Sequence, residues 1–387
     1  MSTTDTFETE LAKDYTLPIN LGLNDGTICP KDCIDIMNAH NDRTCLRNYT
    51  SADNDPLLDT ICEKDGVNPE NIYVANGSGP ILKQCIPWII EDKIRSSTTL
   101  SAKYLLKKKL GIGGATFPIV SGRLTYFKVP LKAGNAGLDV HLLPLGPETN
   151  WKLRLKDVEA VISKTPGLVY ICNPNNPTGQ LMLTREEIIT LLDKYPESIF
   201  WVDEAYVQYI PQDEHEPLSN LVPQYDNLYV SRTFSFAYGL AGVRIGYLLA
   251  PPKSVEAFQG AVTNYRLGTL QEQLAIAALT DENHIDELLE LTAKDREQIG
   301  AVLEEFGVEV VPSKTHFILG RFPDDRTGKW LAEELKKGGI RIKHFVDVKD
   351  ESYPEYFRIT LGVGKENDYL CEQLRKILGE IPTRMLQ

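Results

Sequence analysis

The sequence predicts an α/β fold: a large domain on a mostly parallel sheet, followed by a smaller α+β domain. Three observations carry this. Short, wholly apolar runs recur, and each ends at a polar or turn residue, as strands buried on both faces do. A capped amphipathic stretch lies between two of those runs, making a β-α-β unit. After about residue 265 the texture changes to a long amphipathic stretch and then short strands. At 387 residues the chain can bury more than one core. Hydrophobic residues at 42% and charged residues at 25% are ordinary for a globular protein.

The elements follow in order. Asn76-Gly77-Ser78-Gly79-Pro80 precedes the apolar stretch Ile81–Ile86. The glycines allow a tight turn and close approach of a ligand, and Pro80 suits the first helical position. Exposed N–H groups and the helix dipole would then form an anion site. The stretch 96–114 has no clear period and reads as a surface excursion. Leu168–Cys172, Ile199–Val202 and Leu228–Val230 are the apolar strands. Thr184-Arg185-Glu186-Glu187 is a capping box opening the helix Ile188–Leu192. Glu287–Leu303 reads as one long amphipathic helix. Val308–Val311, His316–Leu319 and Phe357–Leu361 are the late strands.

Charge and cysteines narrow the partners. A net charge of -13 disfavours nucleic acid and anionic membranes. No apolar run reaches the ~20 residues that span a bilayer. Met1–Asp5 shows no basic-then-apolar pattern, so no secretory signal is expected. The 7 cysteines are odd in number and scattered, as in a reduced cytoplasmic protein. Cys29 and Cys33 are close, but no His or further Cys completes a metal-ligand set.

Four segments carry chemistry. Asn173-Pro174-Asn175-Asn176-Pro177-Thr178-Gly179 follows one strand, and Asp203-Glu204-Ala205-Tyr206 follows the next. Ligands bind at such strand ends in open α/β sheets. Ser231-Arg232-Thr233-Phe234-Ser235-Phe236 runs on to Gly239-Leu240-Ala241-Gly242-Val243-Arg244-Ile245-Gly246-Tyr247. There Thr233 and Ser235 offer hydroxyls, and Arg244 offers a fork suited to phosphate. Tyr356-Phe357-Arg358-Ile359-Thr360-Leu361-Gly362 carries a second guanidinium suited to a carboxylate.

From about Leu17 to Leu378 the chain resembles class I/II aminotransferases, most of all histidinol-phosphate aminotransferases. The resemblance implies a fold type I large domain, with a mostly parallel seven-stranded sheet between helices, and a smaller C-terminal domain. It divides the chain into an N-terminal arm with part of the small domain at 1–45, a large cofactor domain at 46–265 and a small C-terminal domain at 266–387. It implies pyridoxal 5'-phosphate (PLP) or pyridoxamine 5'-phosphate as cofactor. Gly77, Ser78, Gly79, Thr233, Ser235 and Arg244 would hold the phosphate. Asp203 would pair with the pyridine nitrogen, and Asn176 and Tyr206 with the phenolic oxygen. Tyr126 resembles the aromatic stacked on the ring. Tyr49 resembles the tyrosine that reaches the neighbouring subunit's cofactor, which implies a homodimer, although Thr50 and Ser51 replace the family's Pro and Asp. Arg358 matches the arginine that grips the substrate carboxylate. Asn24 and His316 resemble substrate-loop positions, and His316 could titrate near neutral pH.

One position departs from the pattern. The family reads Arg-Thr-x-Ser-Lys, and that lysine forms a Schiff base and then carries protons; this chain has Phe236. Three explanations stand: noncovalent cofactor use with another proton carrier, a noncatalytic binding relative, or a substitution introduced into an ordinary aminotransferase. Tyr206, His316, Lys314 and Lys128 are the candidate carriers. Transamination, decarboxylation and elimination all stay open.

Overall fold

The computed structural model describes residues 14–40, 47, 55–97, 117–135, 138–261, 266–348 and 351–380. In chain order its strands are β1 (Ile19–Asn20), β2 (Ile72–Ala75), β3 (Ile119–Gly122), β4 (Val140–Leu143), β5 (Leu168–Cys172), β6 (Ile199–Asp203), β7 (Leu228–Thr233) and β8 (Gly246–Leu249). They continue with β9 (Glu309–Val311), β10 (Phe317–Arg321), β11 (Ile340–Arg341), β12 (Lys343–Val348) and β13 (Glu351–Thr360). The chain forms two compact units. One is Cys29–Asn176 with Gln180–His284; the other is Met1–Ile28, Pro177–Gly179 and Ile285–Gln387. The first takes in the helices Lys31–Ala39 and Thr269–Thr280, which the sequence division gave to the arm and the C-terminal domain. Cys33 is buried there, with its Sγ 3.4 Å from the Leu274 carbonyl.

The first unit is built on a seven-stranded sheet in the order β2-β8-β7-β6-β5-β3-β4. Its neighbours run parallel except β8, which is antiparallel to β7 and β2. Every residue of β5, β6 and β7 is buried, which fits the apolar runs Leu168–Cys172, Ile199–Val202 and Leu228–Val230; β6 and β7 then end in buried polar residues. Register sets Cys172 beside Asp203 and Asp203 beside Ser231 at the carboxyl ends. The capping box forms as expected: Thr184 Oγ1 accepts from Glu187 N at 3.2 Å, and Glu187 Oε2 accepts from Thr184 N at 2.8 Å.

The helix after the glycine turn runs Ser78–Ser96, with Gly77 as its N-cap. Pro80 is therefore the third helical residue, not the first. That position is tolerated because the first four N–H groups of a helix lack intrahelical partners.

In the second unit, β10 lies between β9 and β13, and β12 pairs with the far edge of β13, all antiparallel. The helix His284–Glu305 supplies Ile299 and Leu303 to a core with Ile318, Phe357, Leu370 and Leu374. Burying each such side chain stabilises by roughly 1.5–3 kcal/mol.

Candidate active site

Strand alternation builds the site. Side chains two apart share a sheet face, so Tyr170 and Cys172 on β5, Trp201 and Asp203 on β6, and Tyr229 and Ser231 on β7 form two rows. Asp203 is buried. Its Oδ2 accepts from the Tyr170 hydroxyl at 2.8 Å and its Oδ1 from the Ser231 hydroxyl at 3.0 Å. Burial pushes its carboxyl up to about 6, against hydrogen bonds from Tyr170, Ser231 and the Ala205 backbone that favour the charged form. Tyr126 senses the same carboxylate: burial, with Asp203 nearby, pushes its phenol up to about 12. The Tyr126 turn is pinned by Asn175, whose Oδ1 accepts from Thr125 Oγ1 at 2.6 Å and whose Nδ2 donates to the Leu124 carbonyl at 2.9 Å.

Beside Asp203, Asn176 Nδ2 donates to the Tyr206 hydroxyl at 3.1 Å. Phe236 stacks on Tyr206, with ring centroids 4.6 Å apart and planes 13° from parallel. The strand-to-loop turn that carries Phe236 thus puts an aromatic ring, not an amine, against the phenol.

Arg244 joins the glycine turn to the serine loop. Its Nη1 lies 3.5 Å from Ser235 Oγ and donates to the Ala241 carbonyl at 3.0 Å. Ser235 Oγ accepts from Thr233 Oγ1 at 3.0 Å. Gly77 has φ 92°, and a Cβ there would stand 2.6 Å from Arg244 Nη2. The positive φ favours glycine at Gly77, whereas a Cβ there would press only on the flexible end of Arg244. Gly246 matters equally, since a Cβ would meet Ser78 N at 2.5 Å. Gln271 steadies the loop through Nε2, which donates to the Val243 carbonyl at 2.8 Å. Arg244 and Asn24 both hold positive φ, at 62° each, and such conformations cluster at ligand sites.

The first unit therefore brings together Gly77, Ser78, Thr233, Ser235 and Arg244 on one side, and Asn176, Asp203, Tyr206, Phe236 and Tyr126 on the other. Gly79 lies in the first turn of the Ser78–Ser96 helix, with open space where a Cβ would project. Lys128 is exposed, its Nζ 5.7 Å from the centroid of Tyr126. Tyr49 and most of the 96–114 stretch lie outside the described residues.

Asn24, His316 and Arg358 gather within the second unit. His316 Nε2 donates to the Asn24 carbonyl at 3.1 Å. Thr360 Oγ1 donates to Asn24 Oδ1 at 2.8 Å, and Arg358 Nη2 donates to the Gly22 carbonyl at 2.6 Å. Titration of His316 near neutral pH is corrected here. Complete burial, with Arg358 also opposing a second positive charge, pushes it down to about 3.

Sequence reasoning missed Tyr170, Ser231, Trp201, Gly246 and Gln271 as parts of the site. Gly246 and Ser231 stand inside the quoted motif and could have been found there. Tyr170, Trp201 and Gln271 carry no local signal.

The polar groups fit a pyridoxal phosphate. The Gly77 cradle beside Arg244 and two hydroxyls suits a phosphate. A buried carboxylate held only by neutral donors suits a protonated ring nitrogen. The Asn176–Tyr206 pair suits a phenolic oxygen.

Known proteins give the family and the fold. A histidinol-phosphate aminotransferase of Anaeromyxobacter sp. (strain Fw109-5) is 32% identical over 324 residues, covering 84% of this chain and 81% of that protein. One from Halalkalibacterium halodurans is 30% identical over 330 residues, covering 84% of this chain and 79% of its own. The crystal structure of histidinol-phosphate aminotransferase from Sinorhizobium meliloti in complex with pyridoxal-5'-phosphate matches with a TM-score of 0.77 at 22% identity. It covers 99% of this chain and 96% of that one, and at this identity it establishes the fold. The profile described as aminotransferase class I and II matches residues 115–374. The chain belongs to the class I and II aminotransferase family.

Proposed function

We propose that this chain holds pyridoxal or pyridoxamine phosphate noncovalently and acts on an amino-acid substrate without a Schiff-base lysine. One observation carries the reading. The groups suited to ring and phosphate are in place, while Phe236, where the family resemblance puts the lysine, is packed on Tyr206.

Asp203 holds the ring nitrogen, and the glycine cradle, Thr233, Ser235 and Arg244 hold the phosphate. When bound, the protonated pyridine ring supplies an electron sink for negative charge developing on the substrate. Tyr206, hydrogen-bonded by Asn176 and stacked on Phe236, offers a hydroxyl as the candidate proton carrier. Arg358 takes the substrate carboxylate, with the Asn24–His316–Thr360 cluster holding its neighbourhood. His316 stays neutral there and works as a hydrogen-bond donor rather than as a base. Resemblance at Tyr49 extends the reading to a homodimer, and composition to a cytoplasmic protein.

The test is borohydride reduction of the cofactor-loaded protein, followed by peptide mass mapping. The expected result is bound cofactor that dialysis removes and that leaves no cofactor-derived mass on any lysine. A stoichiometric adduct on one lysine would overturn the noncovalent reading. Phe236→Lys is the companion variant, and it should place that mass at the substituted position.

A further inference from the structure

The reading of Asp203 as the ring-nitrogen partner leads one step further, to what keeps that carboxylate charged inside the protein. Trp201 Nε1 donates to Ser231 Oγ at 3.0 Å, and Ser231 Oγ donates to Asp203 Oδ1 at 3.0 Å. From the other side the Tyr170 hydroxyl donates to Oδ2 at 2.8 Å. An indole N–H can only donate. Trp201 thereby occupies a lone pair of Ser231 and leaves its proton for Asp203. Tyr170 is fully buried, and its phenol is held protonated by burial and by Asp203 itself. Every proton in the array therefore points at the carboxylate.

We propose that Tyr170 and the Trp201–Ser231 pair are positioning residues that hold Asp203 ionised and in one orientation for the cofactor. The surroundings define what they work against. Glu204, the next residue, adds like charge, and burial disfavours ionisation; the Ala205 backbone N–H helps the donors. Cys172 on β5 and Tyr126 also sense the Asp203 charge, and both stay protonated. Arrays of this kind, with several donors on one carboxylate, favour its charged form.

The experiment measures equilibrium binding of PLP to the full chain by absorbance, from about pH 5 to 8.5, a range chosen to bracket a perturbed carboxylate. Unmodified protein, Tyr170→Phe, Asp203→Asn and the double variant are compared at each pH, so ionisations of PLP itself cancel. Tyr170→Phe keeps the ring and removes only the donor. Its affinity should begin to fall at a pH about 1 unit higher than in the unmodified chain. Ser231→Ala should move the bend in the same direction. In the Asp203→Asn background the bend should vanish, and Tyr170→Phe should add less than about a twofold change, as residues acting through one group do. A bend unmoved by Tyr170→Phe, or an equal loss in both backgrounds, overturns the inference while leaving Asp203 as the ring partner. No binding by the unmodified chain sinks both.

Discussion

At the ends of β6 and β7, strand alternation sends neighbouring residues to opposite faces of one sheet, and two buried polar clusters result. On one face are Asp203 and Ser231; on the other are Glu204 and Arg232. Arg232 donates to Glu204 Oε2 through Nε at 3.0 Å and through Nη2 at 2.7 Å, and it also pairs with Asp65. The Tyr247 hydroxyl donates to Asp65 Oδ2 at 2.7 Å, and Glu204 Oε1 accepts from Leu218 N at 2.9 Å. This cluster ties the helix Pro56–Asp65, β6, β7 and β8 together with a cation at its centre. Across the sheet, the donors to Asp203 among the described residues are neutral. Burial alone does not separate a structural charge from a functional one; the identity of its partners does. Charges answered within the chain hold the fold, and on the proposed function the buried Asp203 carboxylate is where a protonated ring nitrogen would sit.

The largest predicted effect falls on the structural face. Arg232→Met leaves two buried carboxylates without their cation and should cost about 3–5 kcal/mol, read as the loss in urea stability. Asp203→Asn should act oppositely on the empty protein. Asp203 titrates at about 6 in the folded chain, against 3.8 ordinarily. The folded state therefore binds that proton more tightly, and stability falls as pH rises from about 4 to about 6. Above that window the ionised group burdens the fold by about 3 kcal/mol at most. Asp203→Asn should flatten this slope in urea titrations across the window, where Arg232→Met would not. Gly77→Ala should reduce stability by about 1–2 kcal/mol, through its positive φ, and cofactor affinity by roughly tenfold, since one lost charge-assisted phosphate contact is worth that much. Calorimetric titration with PLP reads the second number. The smallest effect belongs to His316→Gln. Because His316 titrates at about 3, the pH dependence of cofactor binding between about 5.5 and 8 should not change; a shifted profile would show that His316 does titrate there.

How much of this was legible in the sequence follows from how local each signal is. β5, β6 and β7 are readable because each carries a run of at least three apolar residues buried on both faces. β8 was not separated from the loop before it, because Gly246 opens it and its antiparallel pairing depends on strands far along the chain. The helix Thr269–Thr280 carries buried residues around much of its circumference, so it lacks the one-sided pattern that marks a surface helix and was grouped with the later domain. Within the site, Asn176, Asp203 and Tyr206 sit in contiguous motifs and could be named. Tyr170 and Ser231 read as ordinary strand residues. Only the register of three parallel strands turns their hydroxyls onto Asp203. His316 invited a titrating role by residue type alone, and its burial decides otherwise.

Asp203, beside a phosphate cradle and with Phe236 in place of an amine, is proposed to hold a pyridoxal ring. The most direct measurement is a PLP absorbance titration of the unmodified chain and of Asp203→Asn near pH 7.5. The expected result is saturable binding with a free-aldehyde spectrum for the unmodified chain, and affinity weaker by at least about tenfold for the variant. Equal affinity in both, or no saturable binding in either, would contradict it.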